Sequence, residues 1–234
     1  MYAKRSTSLL LSLFLLAAVF GGCSSQKAWL YTVEPESTSA ALLDKSVAVP
    51  PFTDKRPNEN SNMVLMYMVP LLPYGWQDLD APEGTTMHVT SGLWQWRPNE
   101  DLAKAAAEEL QASHMFKEVF FTNRQSEGEL VLAGTINSTN YSSKMFSYCL
   151  SVYGPLLWFI GFPASHTKNA IEVSFSLKER ESQKLIWEHT YSEETSSTSW
   201  IYYLGSDFNY SDLYKKVMVQ AMKDLRASVG KSSG

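Results

Sequence analysis

The clearest pattern in the chain is a strict alternation in its C-terminal third. From Ala170 to Glu179, Ile171, Val173, Phe175 and Leu177 face one way and Glu172, Ser174, Ser176 and Lys178 the other, the period of a half-buried strand. After a turn near Ser182, Leu185–Glu193 puts Leu185, Trp187, His189 and Tyr191 on a shared face, so the two runs predict a hairpin. Upstream, Glu129 to Asn137 (ELVLAGTIN) is apolar through its middle, as a strand covered on both faces would be. Ser46 to Phe52 (SVAVPPF) predicts a first strand, ended by Pro50 and Pro51, which cannot donate to a ladder. Lys117 to Thr122 predicts a short one. Two segments follow the helical period. Asn99 caps the first, with Glu100 and Asp101 in the first turn and Leu102, Ala106 and Leu110 marking later turns. Ser211 caps the second, where Leu213, Val217, Ala221 and Leu225 make the buried stripe and Gly230 a stop. Thr195 to Asn209 reads as a Ser- and Tyr-rich loop.

One sheet with two principal helices packed on it accounts for every amphipathic element. That predicts an α+β fold with a mixed or antiparallel sheet. Two segments fit neither period. Met63 to Trp76 (MVLMYMVPLLPYGW) and Leu150 to Pro163 (LSVYGPLLWFIGFP) are apolar, uncharged and broken by prolines. Each holds a Pro-Leu-Leu, at Pro70 and Pro155, and a Tyr-Gly step, at Tyr74-Gly75 and Tyr153-Gly154. One reading makes them irregular core, packed against each other. The other places them at a membrane interface or a partner surface, with Trp76, Trp158, Phe159 and Phe162 as the contact residues. An exposed apolar patch of that size would mark an interaction site.

The N-terminus changes the picture most. Lys4 and Arg5 precede an apolar run from Leu9 to Phe20, about 12 residues, the length of a secretory signal and short for a bilayer span. Gly21, Gly22 and Cys23 follow. The stretch Phe20-Gly21-Gly22-Cys23 resembles a bacterial lipoprotein signal, with Phe20 where Leu, Val or Ile is usual. The resemblance implies cleavage after residue 22 and fatty acylation of Cys23, with residues 23–45 a tether and 46–230 a single periplasmic domain. Ser24, rather than Asp, implies sorting to the outer membrane.

Removing residues 1–22 takes away Lys4 and Arg5 and no acid, so the net charge moves from −4 to −6. An acidic body without a basic patch gives no footprint for nucleic acid. With Cys23 acylated, Cys149 has no partner for an intrachain disulfide. Beside Phe146, Tyr148 and Leu150, it is expected to be a buried, inert thiol.

The motif order is also similar to that of the periplasmic domain of CsgG-type and PelC-type secretion lipoproteins and of the N-terminal domain of TolB. The matching residues are Val47–Phe52 with Asp54 and Arg56, then Leu102–Leu110, Phe116–Phe120, Leu130–Ile136, and the hairpin and last helix. The segments 63–76 and 141–168 depart from that pattern. The resemblance implies a non-enzymatic outer-membrane accessory or ring component.

Candidate chemistry is sparse. His88, His114, His166 and His189 form no metal-ligand spacing, and no metal or cofactor is expected. No nucleophile elbow or phosphate-binding glycine loop occurs. Asp54-Lys55-Arg56 reads first as a solvated turn and second as an anion site. The expectation is a lipid-anchored interaction or assembly module with an envelope protein partner or self-association. The alternative is a binding module for a hydrophobic or glycan ligand, with Trp94, Trp96, Trp158 and Trp200 stacking on it.

Overall fold

The computed structural model describes residues 27–33, 43–85, 88, 93–124 and 127–232. Cys23 and the segment before it lie outside the described residues, as do residues 34–42 of the expected tether. In chain order the elements are β1 (Lys27–Ala28), β2 (Leu43–Val49), β3 (Thr53–Asp54), β4 (Asn60–Met63), β5 (Tyr74–Leu79), β6 (Trp94–Gln95), α1 (Pro98–Ala112), β7 (Phe116–Phe121), β8 (Leu130–Ser138), β9 (Tyr141–Phe146), α2 (Pro155–Phe159), β10 (Ser165–Glu179), β11 (Leu185–Ser199) and α3 (Tyr210–Ser232). The class is α+β. Nine strands form one mixed sheet, and β1 with β6 forms a separate parallel pair.

The long hairpin organises the sheet. β10 and β11 pair antiparallel from Ser165↔Ser199 to Lys178↔Leu185. The other edge of β10 is shared: residues 165–169 pair with β9 and 172–179 with β8. Thus β8 and β9 follow one another along it, interrupted at Thr139–Asn140. Beyond β8 lie β2 and then β7, both in parallel pairings. Beyond β9 lie β5 and then β4, antiparallel. The β8 wing carries the two long helices. Its inward residues Val47, Leu132, Ile136, Val173 and Phe175 join Leu102, Leu110, Leu213, Val217 and Leu225 in one core, all buried. Each such side chain contributes roughly 1.5–3 kcal/mol by leaving water.

Several boundaries differ from the sequence expectation. β2 begins at Leu43, and after Pro50-Pro51 the chain rejoins the sheet as β3, beside Thr135 and Ile136 of β8. Helix α1 opens at Pro98 rather than after an Asn99 cap, and the Asp101 carboxylate accepts the Arg97 N–H at 2.7 Å. Helix α3 starts at Tyr210, one residue before Ser211, and runs past Gly230. Strand β11 continues to Ser199, into the expected loop, because 195–199 stay paired with the start of β10. A third helix, α2, lies inside the second apolar segment, with Pro155 at its first turn where a missing N–H costs nothing.

Residues 27–33, within the expected tether, lie on the body. Trp29 stacks between Tyr31 at 5.8 Å and Trp96 at 5.9 Å, and Trp96 stacks on Tyr210 at 4.5 Å. The Tyr31 hydroxyl donates to Glu109 at 2.8 Å.

Candidate interaction surface

One end of the sheet is closed by three connections: 64–73 between β4 and β5, 147–164 between β9 and β10, and 200–209 between β11 and α3. They meet because their strands end side by side, at Tyr74↔Phe146, Met145↔Ser165 and Ser165↔Ser199. Backbone and side-chain hydrogen bonds then tie them together. The Ser147 and Tyr148 N–H groups both donate to Pro73 O, at 2.9 and 3.0 Å. The Ser147 hydroxyl donates to Leu72 O at 2.6 Å, and the Ser151 hydroxyl to Met68 O. Tyr202 Oη donates to Phe159 O at 2.8 Å, joining the third connection.

The two Tyr-Gly steps now have a physical reason. A Cβ on Gly75 would lie 1.9 Å from Val64 O, and one on Gly154 would lie 2.4 Å from Ser147 O. Each glycine lets another stretch of backbone pass at a distance that a side chain would forbid. The two apolar segments do pack against each other, as one reading expected, but through their backbones.

Many of their large side chains point outward, although Val64 is buried. Of 19 large apolar residues that are exposed among the described residues, 15 lie on these three connections or at Met63, which adjoins them. Leu71 is 81% exposed, Tyr202 75% and Ile160 71%. A concentration of exposed apolar side chains of this kind marks an interaction site rather than an ordinary monomer surface. Residues 63–76, 145–165 and 195–206 contain no Asp, Glu, Lys or Arg. The connections are also strained. Leu71, Tyr148, Cys149 and Ser151 have φ between 53° and 70°, the left-handed region that side-chain-bearing residues enter at a cost of about 1–2 kcal/mol each. Such strain clusters where function requires a fixed presentation.

The contact residues expected from sequence divide by depth. Phe159 and Phe162 are exposed. Trp158 is half-buried, its Nε1 donating to Phe146 O at 3.1 Å, and Trp76 is half-buried in β5 with its ring edge-on to Tyr74. Sequence reasoning missed Tyr202, Tyr203 and Leu204, which belong to the same surface. The signal was the uncharged run Trp200–Ser206, hidden by its serine-rich flank. Cys149 is exposed rather than buried; its apolar sequence neighbours belong to this surface, so they do not cover it.

The other candidates resolve differently. Trp94 and Trp96 are core residues, 6% and 5% exposed, whereas Trp158 and Trp200 lie at the apolar end. The four tryptophans thus share no pocket. Arg56 is not on a solvated turn. Its side chain is 4% exposed and pairs with Asp54 at 2.7 Å and Glu83 at 2.6 Å, and it also donates to Thr139. Burial opposes the guanidinium charge, but the bonds to Asp54 and Glu83 outweigh it and hold the pKa above its ordinary value. The same hydrogen bond holds the Asp54 carboxyl below its ordinary value. With its donors so occupied, Arg56 is not an anion site.

The four histidines are not brought together. His88 is buried and stacks on Trp94 at 3.6 Å with the planes 3° apart. Neither ring nitrogen meets hydrogen-bond geometry. Burial pushes its pKa down to about 4, against weaker opposing pulls from Asp207 and the Thr85 and Pro82 backbone. Among the described residues, no group of three or more His, Cys, Asp or Glu converges, and no helix is long and apolar enough to cross a membrane.

No family model matches the chain, and neither does any curated protein. Among solved structures it is similar to a Xanthomonas campestris protein of the DUF330 family, at 14% identity over 89% of this chain and 94% of that one, with a TM-score of 0.47. It is also similar to the PelC dodecamer from Paraburkholderia phytofirmans in two crystal forms, at 15% identity. One comparison covers 82% of this chain and 96% of that one with a TM-score of 0.36. The other covers 80% and 96% with a TM-score of 0.34. All three scores lie below 0.5.

Proposed function

We propose that this protein is a lipid-anchored, non-enzymatic docking module of the bacterial envelope, sorted to the outer membrane with its body in the periplasm. Its working surface is the apolar end. The observation that carries the reading is the gathering of three uncharged connections into one exposed apolar surface, held there by strained backbone. A monomer in water gains nothing from such a surface, since covering apolar area is what stabilises it. The signal-like segment ending at Cys23 supports the envelope placement, because acyl chains would hold the body at a membrane.

In-cell photo-crosslinking tests the docking role. A photoreactive residue at 156 or 160 should form adducts, while one at 181, in the β10–β11 turn at the opposite end, should form few. Equal adduct yields at the two ends would contradict the role. Separately, Cys23→Ala should release the body from the membrane fraction and remove fatty acid from the protein.

A further inference from the structure

We infer that the apolar end is seated in a lipid leaflet: the same leaflet that would hold acyl chains on Cys23. This rests on the docking role above and specifies its occupant.

The first argument is polar satisfaction. A lipid tail cannot hydrogen-bond, so groups facing it must find partners inside the protein. A protein partner can supply those bonds itself. Here the inward partners are already made. Leu71 N–H donates to Cys149 O, Leu150 to Ser147 O, Leu157 to Gly154 O, and Ile160 to Leu157 O. Three aromatic polar tips behave alike. Trp158 Nε1 is spent on Phe146 O, Tyr148 Oη on Pro163 O at 2.6 Å, and Tyr202 Oη on Phe159 O. The surface thus offers mainly aliphatic and aromatic carbon, with the hydroxyls of exposed Tyr153 and Tyr203 left to meet water or headgroups.

The second argument is composition. The most exposed side chains mix aliphatic residues, as Leu71 and Ile160, with the tyrosines Tyr153, Tyr202 and Tyr203, and half-buried Trp158 stands beside them, residue types found together at a membrane interface. Lys144, on the adjoining β9, lies over the Tyr74 ring at 4.8 Å, where a cation can reach the headgroup layer.

The third argument is where the chain leads. In β9 residue numbers rise toward the apolar end, from Tyr141 to Phe146. Val33 lines a groove with α1 residues from Lys104 to Ala112, and Tyr31 bonds Glu109 in the last turns of that helix. Lys27 pairs with Trp94, whose ring is 5.4 Å from Tyr141. Traced backward, residues 33 to 27 therefore run toward the apolar end. The distance from Tyr141 to Phe146 is about 17 Å along the strand. The four residues from Lys27 back to Cys23 span at most about 14 Å. A fully extended chain thus brings Cys23 most of the way to the level of Phe146, and its acyl chains would have to bridge the remainder to share a leaflet with the apolar end.

The mature charge of −6 speaks against recruitment by anionic headgroups, so binding should be apolar insertion. The test uses residues 24–234, which hold every described element, made without lipid and mixed with two vesicle types: phosphatidylcholine alone, and phosphatidylethanolamine with phosphatidylglycerol. The chain should float with both, with little dependence on salt. Leu71→Glu together with Ile160→Glu should weaken partitioning by about 100-fold or more with an unchanged urea midpoint. Leu156→Gln, a milder change, should weaken it less. A nitroxide on Cys149 should become more accessible to oxygen and less to a nickel chelate on binding. No flotation, flotation only with anionic vesicles at low salt, flotation that survives the substitutions, or a Cys149 probe that stays in water would each overturn the inference. Adducts from position 160 made to protein alone would overturn it too, while leaving the docking role standing. Absence of adducts at 156 and 160 would remove both.

Discussion

Replacing Arg56 by methionine would leave the Glu83 and Asp54 carboxylates side by side without their shared cation. Breaking a buried pair by removing one partner typically costs 3–5 kcal/mol. Asp54 keeps solvent contact, so a loss of about 2–3 kcal/mol is expected, read as a lower urea midpoint with unchanged slope. His88 gives a pH dependence of defined sign. Its folded pKa, about 4, lies below its unfolded value, so the unfolded chain takes up a proton that the folded chain refuses. Stability therefore falls as pH drops from about 6.5 toward 4, by on the order of 3 kcal/mol. His88→Phe keeps a flat ring on Trp94 and should flatten that part of the profile. Equal slopes in both proteins would show that the ring titrates freely in the fold. Neither role was legible in the sequence. Arg56 sits in Asp54-Lys55-Arg56-Pro57, which reads as a turn, and Glu83 lies 27 residues on. Nothing local couples them.

Elements with one periodic, buried face were legible. The hairpin and both long helices form near their expected places, because Ile171, Val173, Phe175 and the Leu213–Leu225 stripe have one possible inside. Elements whose partners lie elsewhere were hidden. The end of β11 is a run of Ser and Thr that pairs with β10 only because the hairpin continues, and the 27–33 segment is held by an aromatic stack that no spacing announces. Two predictions belong here. Gly154→Ala should push the Ser147 backbone away, costing about 1–3 kcal/mol and changing the environment of a probe on Cys149. A wild-type probe signal would show that the close approach is dispensable. Trp29→Ala should free residues 27–33 from Trp96 and expose that segment to limited proteolysis while α1 and α3 stay protected.

At the scale of the molecule, the fold divides its labour between two wings. The β8 wing, with α1 and α3, buries its apolar surface in one core. The β9 wing ends in connections that bury backbone and expose apolar side chains. The sequence made the apolar segments visible and left their direction open. Two readings competed, and the structure combines parts of both, since the segments touch each other and face outward. Hydrophobic content alone could not decide this, because direction depends on Gly75 and Gly154 admitting neighbouring backbone and on four residues at positive φ.

The most direct measurement is the reactivity of Cys149 toward a membrane-impermeant maleimide in permeabilised cells, against the same thiol in the purified, lipid-free body. Cys149 lies exposed on the apolar end, and Gln183→Cys in the β10–β11 turn supplies the distant control. If that end is covered in the cell, Cys149 should react at least about tenfold more slowly there than in the purified body, the factor that corresponds to roughly 1.4 kcal/mol of protection, while the control reacts alike in both. Equal rates at Cys149 in the two settings would contradict the account.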